Sequence, residues 1–189
     1  MLLLLGLVLF TMTVSGATEI PICTNPAIQE HPAISGDTIV WIDWRNGGNY
    51  IYKWDPVNGE QPVANATTNI FSPKISGDTV VWMTGFEDIY KWDPVNGKQP
   101  ITTYTASQYN PAISGDTIIW ADSRNGNWDI YKWDPVNGEQ PVTTNTADQV
   151  NPAISGDTIV WEDSRNGMNN QDIYAATMST KIGIYKDGV

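Results

Sequence analysis

Three arginines, each set among aspartates, asparagines and aromatic rings, are the side chains best suited to meet a ligand. Arg45, Arg124 and Arg165 stand in the stretches Asp-Trp-Arg-Asn-Gly, Asp-Ser-Arg-Asn-Gly and Asp-Ser-Arg-Asn-Gly. Trp44, Phe86, Trp128 and Met168 occupy the same set of loops. Aromatic faces beside amide and guanidinium donors can stack on a sugar ring and hydrogen-bond its hydroxyls. A local assignment competes with this one: Asp122 can accept from Arg124 across its own hairpin, and Asn125-Gly126 makes the turn. The run Asp122-x-x-Asn125-x-Asn127-x-Asp129 also has the oxygen spacing of a calcium loop, but Arg124 in its middle and the lack of a bidentate Glu argue against one.

Catalytic groups are scarce. The chain has one histidine, His31, and one cysteine, Cys23. His31 aligns with Ser72, Asn110 and Asn151 at a loop position, and Cys23 with Ala64, Thr102 and Thr143. Groups in such interchangeable slots argue against a Ser–His–Asp triad and against zinc. A hydrolase using carboxylates alone stays open, since 15 of the 21 acidic residues are Asp. Those aspartates recur in every repeat, as turn formers do. No catalytic residue, metal or cofactor is therefore expected.

The elements that must position these loops are four copies of one unit. Pro-Ala-Ile-Ser-Gly-Asp-Thr-Ile-Val-Trp begins at Pro32 and returns, nearly unchanged, at Pro73, Pro111 and Pro152, with spacings of 41, 38 and 41 residues. A period near 40 with several short apolar runs is the signature of propeller blades. From Pro to Trp is always 9 residues, and from Tyr to the next Pro always 21, while Trp to Tyr varies as 11, 8, 11 and 13. All length variation thus falls in one loop, as expected of an exposed connection between packed strands.

Each unit predicts four strands. Strand a is Pro32–Ser35, ending in a Gly-Asp turn, and strand b is the β-branched and aromatic run Thr38–Trp41. The run does not alternate with polar residues, which fits a sheet covered on both faces. Strand c is Asp129–Asp134, followed by the turn Pro135-Val-Asn-Gly138. Strand d, Glu139–Thr144, contains a proline and so belongs at the outer edge. The b–c and d–a loops share one end of such a blade; the monotonous Ser-Gly-Asp and Asp-Pro-Val-Asn-Gly turns share the other. Any ligand is expected on the variable b–c side.

Pro-x-Ile-Ser-Gly-Asp followed by Ile-Val-Trp-x-Asp-Ser-Arg-Asn-Gly-x-x-Asp-Ile-Tyr resembles the TolB-type propeller repeat over roughly residues 19–178. It is especially similar to the variant found in arrays in cell-surface and surface-layer-like proteins of methanogenic archaea. The Trp-Asp pairs of strand c (such as Trp133-Asp134) imitate a WD-repeat, but the Gly-His element of that family is absent. The resemblance implies an all-β fold, a β-propeller of four TolB-like four-stranded blades, and a cell-surface setting with a surface protein or glycan as partner.

The ends carry their own signals. Residues 2–10 form the apolar core of a signal peptide, too short to span a bilayer, and Ser15 and Ala17 suit cleavage after Ala17. The expected domains are a signal peptide at 1–17, the propeller at 18–180 and a tail at 181–189. Lys181-Ile-Gly-Ile-Tyr-Lys-Asp-Gly188 looks like the opening of an FG-GAP repeat; the alternative is a substitute outer strand for blade four. Glu19-Ile-Pro-Ile-Cys-Thr-Asn25 aligns with the strand d sequence Glu139-Gln-Pro-Val-Thr-Thr-Asn145, whereas the fourth repeat lacks a strand d of its own. This predicts closure, with residues 20–24 pairing beside Ile173 to complete the last blade.

Net charge is −11, which makes nucleic acid and anionic lipid poor partners. Asn65-Ala-Thr67 is a glycosylation sequon in a d–a loop. The sequence thus reads as a secreted, non-catalytic propeller module of a cell-surface protein. The alternatives are an extracellular carbohydrate-active enzyme on the same scaffold and a Tol-like accessory that binds a protein partner.

Overall fold

The computed structural model describes residues 16–65, 69–85 and 88–178. The expected signal-peptide core, the tail at 181–189 and Phe86 lie outside these residues. The described chain is all-β. Its first sheet is β1 (Gln29–Ser35), β2 (Thr38–Asp43), β3 (Tyr50–Asp55) and β4 (Gly59–Asn65), and its second is β5 (Ile70–Ser76), β6 (Thr79–Thr84), β7 (Asp88–Asp93) and β8 (Gly97–Pro100). The third is β9 (Gln108–Ser114), β10 (Thr117–Asp122), β11 (Asp129–Asp134) and β12 (Gly138–Pro141). The fourth has three strands among the described residues: β13 (Gln149–Ser155), β14 (Thr158–Asp163) and β15 (Asp172–Thr177). Every pairing is antiparallel between sequence neighbours. Among the described residues no helix is long and apolar enough to cross a membrane.

Local chemistry explains each blade. The second strand is covered on both faces, so its apolar run is continuous: Val40, Val81 and Ile119 are 0% exposed, as are Trp82 and Trp120. The hairpin from third to fourth strand is closed by Asp134, whose Oδ1 accepts from the Val136 and Asn137 amides at 3.0 and 2.8 Å. Gly138, at φ +66°, makes the reversal. The same contacts recur at Asp55 and Asp93. The prolines of β4, β8 and β12 stand on outer edges, where a missing N–H costs no ladder bond.

Blades stack through three apolar clusters. Val40, Ile42 and Ile51 of the first meet Ile70, Val80 and Trp82 of the second. Val81, Met83 and Ile89 then meet Ile118, Trp120 and Tyr131, and Ile119, Ala121 and Ile130 meet Ile159 and Trp161. Each buried aliphatic side chain contributes about 1.5–3 kcal/mol, so these clusters hold the arc together. The inner strands β1, β5, β9 and β13 pack in that order.

The predicted closure is not what the structure shows. Residues 20–24 form no strand, and Ile173 on β15 is 74% exposed. Cys23 lies instead on the first blade, where its Sγ accepts from Arg45 Nη2 at 3.1 Å. Inside the arc the equivalent link makes two contacts, Thr143 accepting from the Ile130 amide of its own blade and lining a cavity with Arg165 of the next, whereas Cys23 shows only the contact to the blade that follows it among the described residues. Strand a also differs from expectation. It begins three residues earlier than Pro32, and His31 lies within it, at an irregularity, not in a loop.

Candidate functional site

The loop arginines are held by their own blades. In the first, buried Asp43 accepts from Trp41 Nε1 at 3.1 Å, from the Arg45 amide at 2.8 Å and from Arg45 Nε and Nη2 at 2.9 and 2.6 Å. The third blade repeats this with Trp120, Asp122 and Arg124, and the fourth with Trp161, Asp163 and Arg165. Each guanidinium then lies over the tyrosine of the next strand, 4.1 Å from Tyr52, 4.2 Å from Tyr131 and 3.8 Å from Tyr174. Those rings in turn stack on Trp41, Trp120 and Trp161 at 6.2, 6.3 and 6.4 Å. Arg45 and Arg124 also reach Glu60 and Glu139 on the outer strands.

The electrostatics follow from these contacts. Hydrogen bonds from Arg165 hold the Asp163 carboxyl down at about 2 against the effect of burial. Burial pushes Asp43 up, but bonds from Arg45 and Trp41 outweigh it and the net shift is downward. Bonds to Asp43 and Glu60 raise the Arg45 pKa. A carboxylate so firmly ionised serves as a fixed anchor. The second blade has Thr84 in the Asp position, and Trp82 Nε1 is correspondingly buried with no acceptor among the described residues. There Lys98 supplies the cation, 4.5 Å from the Tyr90 ring centre.

The tryptophans sit differently. Trp44 is 38% exposed and donates from Nε1 to Glu30 Oε1 at 2.9 Å. Trp128 packs edge-on to Tyr109 at 4.6 Å, with its amide donating to Asp148 Oδ1 at 2.9 Å. Burial pushes the Tyr109 hydroxyl up to about 12, with Glu162 and Asp148 adding to it. Met168 is exposed. Asn125 donates to Asp129 Oδ2 at 2.9 Å and to the Tyr131 hydroxyl at 3.1 Å, so it serves the hairpin locally. Asn65 is exposed at the end of β4.

Glu30 and Tyr109, the strand residues that Trp44 and Trp128 touch, are each followed by a strained position. His31, Ser72, Asn110 and Asn151 all have left-handed backbones, with φ of 53°, 50°, 51° and 52°. All four lie where strand pairing slips by one residue. The following proline cannot donate to the ladder, so the strand bulges there. Between the blades this leaves a cavity of about 320 Å³ lined by Ser72, Lys74, Asn110 and Asn151 with Pro111 and Pro152. Asn110 Nδ2 donates to Asn151 Oδ1 at 2.7 Å across it.

Sequence reasoning missed this row because a residue before proline is ordinarily extended. The signal was present nonetheless: one repeat position reads His, Ser, Asn and Asn beside an invariant proline. A left-handed non-glycine residue costs about 1–2 kcal/mol, so four in register are a maintained feature of the fold.

Antiparallel sheets, three of four strands and one with three described strands, stacked around a row of inner strands define a β-propeller. The comparisons agree on fold. TolB from Acinetobacter baumannii matches with a TM-score of 0.62 at 18% identity, over 82% of this chain and 42% of that one. A TolB structure from Agrobacterium tumefaciens matches at 0.60 and 19%, over 82% and 60%. A prolyl endopeptidase also matches, at 0.57 and 15%, over 78% of this chain and 26% of that one. The chain therefore spans about half the length of the TolB structures. No family model matches the sequence, and no curated protein does.

Proposed function

We propose that the chain is a non-catalytic, exported propeller module of a cell-surface protein that binds a protein or glycan at its variable end. The observation that carries this reading is the strained row His31, Ser72, Asn110 and Asn151. Its backbone is repeated four times while its side chains differ. Held strain of this kind is the ordinary mark of a binding site, and amide, hydroxyl and imidazole groups suit a ligand rich in hydroxyls or peptide groups. Trp44, exposed beside the row, supplies a stacking surface. The non-catalytic reading rests on Asp43 and Asp163 being held low by arginine, which leaves neither ready to give a proton near neutral pH. The cell-surface setting rests on the apolar leader and the repeat resemblance.

The test is a glycan array and a binding assay against extracellular peptides, run on the wild type, Trp44→Ala and Asn110→Ala/Asn151→Ala. A captured ligand should bind at least about tenfold more weakly to these variants, as loss of central contacts generally does. Asn58→Ala and Asn137→Ala, in turns at the other end, should leave binding unchanged. Equal affinity across the whole set would remove the site.

A further inference from the structure

The arc ends in two faces that the chain uses elsewhere as an interface. At every internal junction Ser of one blade accepts from a glycine amide of the next: Ser35 from Gly77 at 2.9 Å, Ser76 from Gly115 at 2.9 Å and Ser114 from Gly156 at 3.0 Å. Ile51, Ile89 and Ile130, on the third strands, are each 0% exposed against the following blade. Their fourth equivalent, Ile173, is 74% exposed, and Ser155 at the turn of the same blade is exposed too. On the first blade the entering face is equally bare. Ile34 is 67% exposed, and Pro32 is exposed where Pro73, Pro111 and Pro152 are buried. A groove of about 400 Å³ opens there between Ile22, Cys23, Pro32, Ile39 and Trp41.

Charge points to the occupant. Arg45 and Arg124 each pair with a glutamate from the outer strand of their own blade, Glu60 and Glu139. The second blade has no arginine there, and its outer strand carries Lys98 instead of Glu. Among the described residues Arg165 has Asp163 as its one carboxylate partner, and it is more exposed, 32% against 17% and 14% for Arg45 and Arg124. Its blade lacks an outer strand among the described residues. The outer-strand sequence that has no blade of its own, Glu19–Asn25, begins with the matching glutamate.

We propose that two copies dock head to tail, the entering face of each first blade on the leaving face of the other's last blade. Residues 19–25 of each copy then form the fourth strand beside β15 of the other. By analogy with the register Tyr131↔Pro141, Tyr174 lies opposite Pro21 of the second copy. Glu19 meets Arg165, and the Gly36 amide donates to Ser155 Oγ. Cys23 takes the place of Thr143, whose Oγ1 accepts from the Ile130 amide at 2.8 Å. Both junctions are the same, and with each arc covering half a turn the pair closes into one ring of eight blades, within the usual range for propellers; a head-to-tail filament in place of a dimer would overturn that closure. The junction is weaker than the internal ones. Glu162 stands where Ile42, Met83 and Ala121 stand in the other blades, and Ala175 replaces the lysine that lies over the next blade's tryptophan at Lys53 and Lys91. The dimer is therefore concentration-dependent.

Sedimentation equilibrium on the exported chain should give a species of twice the monomer mass at micromolar concentration. Glu19→Arg should raise the dissociation constant about a hundredfold, about tenfold for each of the two interfacial ion pairs lost. Ile173→Cys, on mild oxidation with the single native cysteine, should give a chain-to-chain disulfide that Cys23→Ser abolishes. A monomer at all concentrations overturns the proposal. So does an intrachain Cys23–Cys disulfide in that variant, which would mean a closed four-bladed ring. Unchanged affinity in Glu19→Arg, with β15 covered instead by residues 179–189, also overturns it.

Discussion

Removing the Asp122 carboxylate should destabilise the protein far more than removing Asp163, although the two occupy the same position in neighbouring blades. Both side chains are 0% exposed and both accept from a buried tryptophan and from an arginine. What differs is the arginine left behind. Arg124 is 14% exposed and enclosed by Tyr104 and Tyr131, at 3.8 and 4.2 Å. Arg165, 32% exposed, can turn its charge to water. Stranding a buried partner typically costs about 3–5 kcal/mol; Arg124 keeps its ion pair with Glu139, so Asp122→Ala should lose about 3 kcal/mol, the low end of that range, and Asp163→Ala about half of it. The orphaned indole adds little to the difference, because both variants create one and Trp82 Nε1 already has no acceptor among the described residues. For a chain of this length the loss corresponds to a fall in Tm on the order of 10 °C for Asp122→Ala. Urea unfolding followed by tryptophan fluorescence would measure it. Asp122→Ala/Arg124→Met should recover at least half of the loss, since replacing both members of a buried pair is far cheaper than removing one. Equal losses in the two blades, or no recovery in the double variant, would refute the reasoning that the stranded guanidinium sets the cost.

Three further outcomes are expected. Stability should fall on acidification between pH about 4 and 2: Asp163 and Asp134 are both held at about 2 in the folded chain and sit near the ordinary carboxylate value when unfolded. The unfolded state therefore binds protons first as pH drops, and stability present above the unfolded pKa is lost toward the folded one; a flat urea midpoint across that range would contradict it. Asn151→Ala should cost about 1–2 kcal/mol in the same assay, since alanine is less tolerant of a left-handed backbone and the bond to Asn110 is lost. Trp44→Ala, removing an exposed ring, should change the unfolding free energy by under about 1 kcal/mol while weakening ligand binding; a large loss of stability would make that ring part of the core.

Much of the molecule was legible in the chain because the repeat is local. The spacing of Pro, Trp and Tyr located four blades, since each strand pairs only with its sequence neighbour and short turns such as Asp134–Gly138 fix the register within a few residues. Even the outer position of Pro62, Pro100 and Pro141 followed from the missing N–H. Asp122 and Arg124 were also readable as partners, being two residues apart on one hairpin.

Other features depended on what faces what across blades, which no local pattern encodes. The left-handed turn at His31, Ser72, Asn110 and Asn151 overrides the extended preference of a residue before proline, because the bulge is imposed by pairing with the second strand. The matched orphan strand and vacant edge were visible in the sequence, but not that they sit at opposite ends of an open arc. Alignment of repeats says which surfaces are equivalent; only their arrangement in space says that Ile173 is exposed where Ile51, Ile89 and Ile130 are buried. Strand chemistry is decided within about ten residues of chain, whereas the covering of a sheet face is decided by whichever blade packs against it.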